Sequence, residues 1–349
     1  MSATAGLVQN DLKKVIAYST CSQLGYMVFA CGLSQYALSL FHLANHAFFK
    51  ALLFLSAGAV IHSISNEQDL RRFGGLLRLL PYTYAMFLIG SLALMGFPFL
   101  TGFYSKDIIL EVAAASVTIP GTFAYWLGLI TAFFTAFYSF RLLYLAFYGS
   151  SRSPRTYLVT AHELTGRMAF SLATLSLGSI FLGYIARDLF IGFGTSFWNG
   201  SIYHAPAFTG NQIVGEFLPF FIKITPFFGS MASVATVFLI NSQVLEQQTA
   251  RLHTNLRLLS LYRFLSHKWY FDTVYNRLVN RPLLEGAYNT VFALIDKGLL
   301  ETFGPTGFGN LSLKVGAEIT AQQSGRVFEY AWLMLGLLYL YILILHIVA

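Results

Sequence analysis

Long apolar segments, each about as long as a bilayer is thick, constrain the fold of this chain more than any other feature. A helix needs about 20 apolar residues to cross a hydrocarbon core of about 30 Å. Only 11% of the 349 residues are charged, too few to cover the surface of a water-soluble protein. The sequence therefore predicts an integral membrane protein with about eight spans, at residues 15–34, 36–62, 82–98, 102–117, 122–148, 168–187, 220–241 and 327–348.

The spans are predicted to be helices, because the apolar runs are unbroken and lack the alternation of a membrane β-barrel. A helix also satisfies its own backbone hydrogen bonds inside lipid. The predicted fold class is an all-α, polytopic membrane helix bundle. The net charge of +7 comes from basic residues scattered between the apolar segments, so no nucleic-acid partner is predicted.

The C-terminal part changes character, because charged residues return from 243 to 326 and apolar residues recur there at helical spacing. The run from Tyr275 to Phe303 is amphipathic, which predicts a helix lying along the membrane surface. Gly304–Gly307 interrupts it, and a second, shorter amphipathic piece runs to Gln323 before the last span.

A lysine in the middle of the second span is the strongest functional signal. Lys50 would cost at least about 2.5 kcal/mol at the bilayer centre, so such residues usually line a bundle interior or a water-filled path. His42, His46 and Lys50 are spaced i, i+4, i+8 and share one stripe of a helix. The stripe predicts a proton or ion path. The alternatives are a buried ion pair that holds helices together and two hydrogen-bonded core histidines. A zinc site is disfavoured because the HExxH pattern is absent.

A second group of ionisable residues follows a predicted helix break. Lys106 and Asp107 come shortly after Pro98 and Gly102, which indicate a broken helix or a re-entrant turn. Broken helices at membrane depth line ion paths in transporters. The alternative is a wetted loop at the interface. Glu111, one turn beyond, is a candidate partner or exit group.

Redox chemistry within the chain is not predicted. The sequence has no GxGxxG motif, no P-loop and no cysteine cluster for iron–sulfur. Cys21 and Cys31 match neither a metal-binding nor a redox spacing. We therefore expect no bound metal or redox cofactor.

Three stretches resemble subunit 5 of NADH:ubiquinone oxidoreductase, respiratory complex I: Asp11–Met27 (DLKKVIAYSTCSQLGYM), Phe41–His62 (FHLANHAFFKALLFLSAGAVIH) and Phe97–Glu111 (FPFLTGFYSKDIILE). The first two are shared in part with multisubunit sodium/proton antiporters, which leaves an antiporter subunit as the alternative. Lys268–Asn276 (KWYFDTVYN) is more discriminating, because it resembles the start of the lateral helix of subunit 5.

The resemblance implies roles for individual residues. Lys50 corresponds to the central lysine of the second half-channel, and His42 and His46 correspond to the histidines preceding it. Lys106, with Asp107 beside it, corresponds to the lysine at the broken helix. The implied organisation is a second inverted repeat (1–150), further membrane helices with a long loop (151–245), the lateral helix region on the matrix side (246–326) and a C-terminal anchor (327–349).

The resemblance also implies the setting. NADH, FMN, iron–sulfur clusters and ubiquinone would be used by the complex and none would be bound by this chain, although a structural phospholipid is compatible with it. The expected partners are the lipid bilayer and other membrane-arm subunits. The expected location is the mitochondrial inner membrane, with a bacterial inner membrane as the alternative.

One departure from the family stands out. The family has helices before the position of Ser2 that carry the glutamate–lysine pair of the first half-channel. We therefore expect a separate chain carrying that N-terminal half, the alternative being a truncated sequence. A third hypothesis is a purely structural clamp, which the buried charges disfavour.

Overall fold

The computed structural model describes residues 1–116, 118–202, 210–241 and 256–348. Across these ranges the chain is helical, with no strand beyond one antiparallel bridge between Asp11 and Asp69. The all-α prediction is therefore confirmed. The first eleven α-helices are α1 (Ser2–Val8), α2 (Leu12–Gly32), α3 (Tyr36–Ser63), α4 (Pro81–Met95), α5 (Ile108–Ala115), α6 (Ile119–Leu143), α7 (Arg155–Thr160), α8 (Gly166–Ile191), α9 (Asn211–Glu216), α10 (Phe220–Ile240) and α11 (Leu256–Ser266).

Several of these helices have the dimensions of membrane spans. Among the described residues, 5 helices are long and apolar enough to cross a bilayer: Tyr36–Ser63, Ile119–Tyr148, Gly166–Ile191, Phe220–Ile240 and Val327–Ile347. The remaining predicted spans fall on α2, on the shorter apolar helix α4, and on α5 with the turn before it. Helix α2 has 21 residues but carries Lys13, Lys14 and a row of polar side chains, which lowers its hydropathy.

Helix α3 occupies the centre of the bundle and packs against α2, α4 and α8. Helix α6 packs against α4, α5 and α10. Large side chains such as Phe41, Phe49, Phe87 and Tyr138 are fully buried between these helices. This packing places both the stripe of α3 and the start of α5 in the protein interior.

The predicted helix break is confirmed between α4 and α5. Helix α4 ends at Gly96, whose φ of 89° is the left-handed conformation that glycine adopts most easily at a helix C-terminus. The helix resumes after Pro98, and Phe103–Asp107 form a π-helical turn that leads into α5. At Gly102 the backbones nearly touch, because a Cβ there would lie 1.7 Å from the carbonyl oxygen of Ala93.

The chain divides into two compact units, Met1–Tyr270 and Phe271–Ala349. In the second unit, α12 (Phe271–Tyr275), α13 (Arg281–Gly286) and α14 (Glu301–Phe303) are joined by the π-helical segments Asn276–Asn280 and Ala287–Leu300. Gly304 separates them from α15 (Pro305–Ala321), and α16 (Val327–Val348) follows. The predicted interruption at Gly304–Gly307 is confirmed at Gly304, whereas residues 305–307 already belong to α15. The predicted boundary at 245/246 lies outside the described residues.

Candidate functional site

Lys50 lies in the interior on the α2-facing side of α3, with 4% of its surface exposed. Its ammonium group donates a hydrogen bond to the hydroxyl of Ser19 and lies 3.5 Å from the carbonyl oxygen of Ile16. Ser19 in turn donates to the same carbonyl at 2.7 Å. The lysine is therefore solvated by one polar turn of α2.

The two histidines lie along the same stripe of α3. The rings of His42 and His46 are 6.1 Å apart between centroids, and both residues are buried. His42 contacts two other helical segments, because its Nδ1 lies 2.9 Å from Ser105 Oγ and its Nε2 lies 3.1 Å from Gln23 Oε1. His42 thus connects α2 to the π-helical turn that carries Lys106.

Lys106 is as deeply buried as His42, at 1% exposure. Its ammonium group donates to Thr135 Oγ1 at 2.9 Å and to the carbonyl oxygen of Met95 at 3.3 Å. It also lies 5.6 Å from the centre of the Tyr26 ring, a cation–π distance. Because α4 ends at Met95, the carbonyl oxygen of that buried residue lies in the last turn of the helix and can accept a hydrogen bond from the lysine.

Among the described residues, neither Lys50 nor Lys106 has a carboxylate within 4.0 Å, the limit for a salt bridge. Asp107 is adjacent to Lys106 in sequence, but its carboxylate packs against Gly96, where a Cβ would lie 3.1 Å from Oδ1. This geometry disfavours the alternative in which Lys50 serves only as one half of a buried ion pair.

Glu111 lies apart from the other predicted residues. It is partly buried and lines a cavity of about 360 Å³ together with Arg187, Glu216 and Lys223. The structure therefore gathers His42, His46, Lys50, Lys106 and Asp107 in the interior and places Glu111 beside a separate cavity.

The interior also holds several polar atoms that have no protein partner within the described part of the chain. They are Ser22 Oγ, Gln23 Nε2, both amide atoms of Asn45, His46 Nε2, Ser91 Oγ and the Tyr138 hydroxyl. Buried polar groups are normally hydrogen-bonded, and those without a protein partner are typically bridged by water.

Sequence reasoning missed four residues whose side chains hydrogen-bond to the predicted ones: Ser19, Gln23, Ser105 and Thr135. A signal existed for the α2 members. Ser19, Ser22, Gln23 and Tyr26 recur at i, i+3, i+4 and i+7 and mark one polar stripe in a predicted span. No comparable pattern marks Thr135. Its contact with Lys106 arises from the packing of α6 against α5 and the turn before it.

The structure shows no evident metal centre in the ranges it describes, where no group of three or more histidine, cysteine or acidic side chains is close enough to bind an ion. His42 and His46 lack a third ligand of this kind.

Comparisons with known proteins match almost the whole chain. Residues 1–141 match the family model described as "NADH:quinone oxidoreductase/Mrp antiporter, TM", and residues 195–347 match "NADH dehydrogenase subunit 5 C-terminus". The chain is 52% identical over 338 residues to NADH-ubiquinone oxidoreductase chain 5 of Phytophthora infestans and 49% identical over 341 residues to that of Marchantia polymorpha. These alignments cover 96% of this chain but 50% of each relative, so the chain spans about half the length of the relatives it matches.

A solved structure supports the fold. The chain is similar to one in the Mrp complex from Dietzia sp. DQ12-45-1b, with a TM-score of 0.53 and 20% identity, covering 100% of this chain and 32% of that one. At this identity the likeness concerns the fold alone. The sequence matches are much closer, and they identify this chain as a member of the NADH-ubiquinone oxidoreductase chain 5 family.

Proposed function

We propose that this chain forms a proton-conducting half-channel in the membrane arm of an NADH:ubiquinone oxidoreductase. The observation that carries the proposal is the pair of buried lysines, Lys50 and Lys106, each held by neutral hydrogen-bond partners. A charge without a counter-ion is costly inside a membrane and is typical of ion and proton paths.

A chain of polar contacts supports transfer between the two lysines. Lys50 and His46 are one helical turn apart on α3, and His42 follows one turn further. His42 contacts Ser105, the residue before Lys106. The orphaned polar atoms of Ser22, Asn45 and Ser91 line the same interior, and bound water at these atoms would complete a hydrogen-bonded path. Asp107 and Glu111 would carry the proton onward.

In this proposal the electron-transfer chemistry takes place in other subunits. NADH, FMN, the iron–sulfur clusters and ubiquinone would be bound elsewhere in the complex. This chain would hold protonatable side chains and lipid contacts, including a structural phospholipid. The membrane is proposed to be the mitochondrial inner membrane, and 246–326 is proposed to lie along neighbouring membrane-arm subunits.

A first half-channel is proposed to come from residues outside this sequence. The prediction that they belong to a separate chain can be tested by intact-mass analysis of the purified complex. A chain of 349 residues accompanied by a second chain carrying the first helices would support it. A single chain of about twice that length would rule it out.

The half-channel is tested by the variant Lys50→Ala in the assembled complex. We expect coupled NADH:quinone activity to fall at least about tenfold, because the variant lacks the ammonium group that would carry the proton at that point of the stripe. Lys13→Ala, an exposed lysine on α2, is the matched control and should behave as the native complex does. Normal proton pumping by an assembled Lys50→Ala complex would defeat the proposal.

The competing hypothesis of a sodium/proton antiporter subunit shares the match over residues 1–141. The match of residues 195–347 to the subunit 5 C-terminus favours the oxidoreductase. Co-purification with flavin- and iron–sulfur-containing subunits would decide between them.

The hypothesis of a purely structural clamp is tested by deleting residues 276–326. If the deletion removes the distal part of the membrane arm and leaves the proximal part assembled, the result would favour a clamp.

A further inference from the structure

A group of buried polar side chains lies between α2 and α6, beside the stripe of α3 that carries the two histidines. Its central member is Tyr138 of α6, which is 1% exposed and whose hydroxyl makes no hydrogen bond within the described part of the chain. The side chains of Ser19, Ser22 and Gln23, all on the polar stripe of α2, face this hydroxyl. Tyr138 takes no part in the path along α3.

Three polar atoms in this group have no protein partner among the described residues: Ser22 Oγ, Gln23 Nε2 and the Tyr138 hydroxyl. They come from two helices that pack against each other. A buried water molecule typically makes about three hydrogen bonds, to polar groups that are otherwise unsatisfied. Two hydroxyls and an amide N–H offer it both acceptors and donors. The group therefore has the composition of a water-binding site.

The position of Tyr138 relates this group to both buried lysines. Its hydroxyl faces Ser19, the residue that accepts the hydrogen bond of Lys50. On α6, Thr135 precedes Tyr138 by three positions and therefore lies on the same side of that helix. Thr135 accepts the hydrogen bond of Lys106 at 2.9 Å. The contacts of the two lysines thus meet at the α2–α6 interface, without any histidine between them.

A purely structural tyrosine would be placed differently. A buried tyrosine hydroxyl that holds helices together bonds directly to its neighbour, as Tyr26 does by donating to the carbonyl oxygen of Gly128 at 2.5 Å. The ring of Tyr138 is packed on its other side by α1, because a Cβ at Gly6 would lie 3.4 Å from its Cδ1. The ring is therefore held by packing, while the hydroxyl points at polar side chains without bonding to them.

We propose that Tyr138 and the polar stripe of α2 bind water between α2 and α6, and that this water forms a second proton connection between Lys50 and Lys106. The connection runs parallel to the path along α3 and bypasses His46. This inference rests on the proposed function and adds a second branch to it, with both lysines as shared ends.

The proton transfer in this branch is balanced. A proton that leaves the Lys50 ammonium group enters at the Ser19 hydroxyl, and each hydroxyl or water of the branch passes on one proton as it receives one. The neutral amine of Lys106 takes the last proton. Only the two lysines change charge, and the Tyr138 hydroxyl keeps its proton count, so the branch serves transfer in either direction.

The first test measures NADH-driven proton translocation in proteoliposomes by the native complex, His46→Leu, Tyr138→Phe and the double variant. Rates through parallel branches add, so each single variant should retain about a tenth or more of the native rate, and the double variant should fall at least about tenfold below the slower single one. Tyr144→Phe is the matched control, because the hydroxyl that it loses donates to the Asn241 carbonyl away from this group. It should translocate as the native complex does.

Two results of this first test would overturn the bypass. One is a His46→Leu complex that no longer translocates protons. The other is a Tyr138→Phe substitution that lowers the rate by the same factor with and without His46, since groups in series or in a merely structural role would behave in that way.

The second test locates the water in a map of the native complex that resolves ordered water. Density should lie within hydrogen-bond distance of Ser22 Oγ, Gln23 Nε2 and the Tyr138 hydroxyl. It should be lost in Tyr138→Phe and persist in Tyr144→Phe. A native map without this density would overturn the site. If Lys50→Ala stops translocation in the same preparations, that failure would concern the second branch and not the half-channel.

Discussion

At the scale of single residues, each buried lysine depends on one hydroxyl from another helix. Ser19 of α2 accepts from Lys50, and Thr135 of α6 accepts from Lys106. Neutral partners solvate an ammonium group without fixing its proton as strongly as a carboxylate would. This arrangement suits a site that must both hold and release a proton.

The variant Ser19→Ala tests the first of these contacts. A hydrogen bond to a charged group contributes about 1.5–3 kcal/mol, so we expect the complex to assemble and its coupled activity to fall about tenfold or more. Thr174→Ala is the matched control, because Thr174 is an exposed threonine of α8 whose hydroxyl donates to the Ser171 carbonyl of its own helix. Equal activity in the two variants would contradict a role for Ser19. The measurement is coupled NADH:quinone turnover in membranes.

Residue types and spacing predicted the charged members of the site but not the neutral ones. His42, His46 and Lys50 are visible because charged and titratable groups are rare in spans. Serine and threonine are common in membrane helices, where they also bond to their own backbone. Only the packing of α2 and α6 distinguishes Ser19 and Thr135 from such residues.

At the scale of elements, the break between α4 and α5 positions Lys106. It requires the left-handed φ of Gly96 and the close approach of Gly102 to α4. Pro98 predicted the break. The π-helical turn at Phe103–Asp107 was not predicted from the sequence. Such turns are rare, and no residue pattern in this segment distinguishes a π-helical turn from an α-helical one.

Gly102→Ala should damage this element severely. The added methyl group would overlap the Ala93 carbonyl oxygen, so the two backbones must separate and the Lys106 contact with Met95 should be lost. We expect reduced assembly and a lower melting temperature of the membrane arm. Gly58→Ala in α3 is the control and should be neutral, because a Cβ there has no neighbour within 4 Å in the described part of the chain. A fully stable, active Gly102→Ala complex would show that the break tolerates rearrangement.

The loop from 64 to 80, outside the membrane spans, should respond to acid. Hydrogen bonds from Arg71 lower the pKa of Asp69 below its usual value of 3.8. The backbone N–H of Asp69, and then Arg72, lower the pKa of Glu67 below 4.5. Because both pKa values are lower in the folded state, their stabilisation is complete above the unfolded values and is lost as the pH falls through the folded ones.

We therefore expect hydrogen-exchange protection of this loop, corrected for intrinsic rates, to be constant from neutral pH to about pH 5 and to decrease below about pH 4. In Asp69→Asn the protection should be weaker at neutral pH and vary less with pH. A loss of protection beginning near pH 6 would point to a different group.

At the scale of the whole molecule, the chain has one compact unit that holds the candidate site and a second unit, Phe271–Ala349, with almost no buried surface of its own. None of the residues from Phe271 to Ala321 is buried within the chain. Apolar residues such as Leu284, Phe303 and Leu313 are more than 65% exposed. Such surfaces require lipid or partner subunits. The sequence predicted these helices from their periodicity, but no periodicity specifies which surface covers them.

The most direct test of the central claim is the rate of NADH-driven proton translocation by the purified complex in proteoliposomes carrying Lys50→Met or Lys106→Met. Methionine keeps an apolar stem of similar length and removes the charge. If protons pass between these two lysines, either variant should assemble and translocate protons at least about tenfold more slowly than the native complex. Native translocation rates in both variants would contradict the claim.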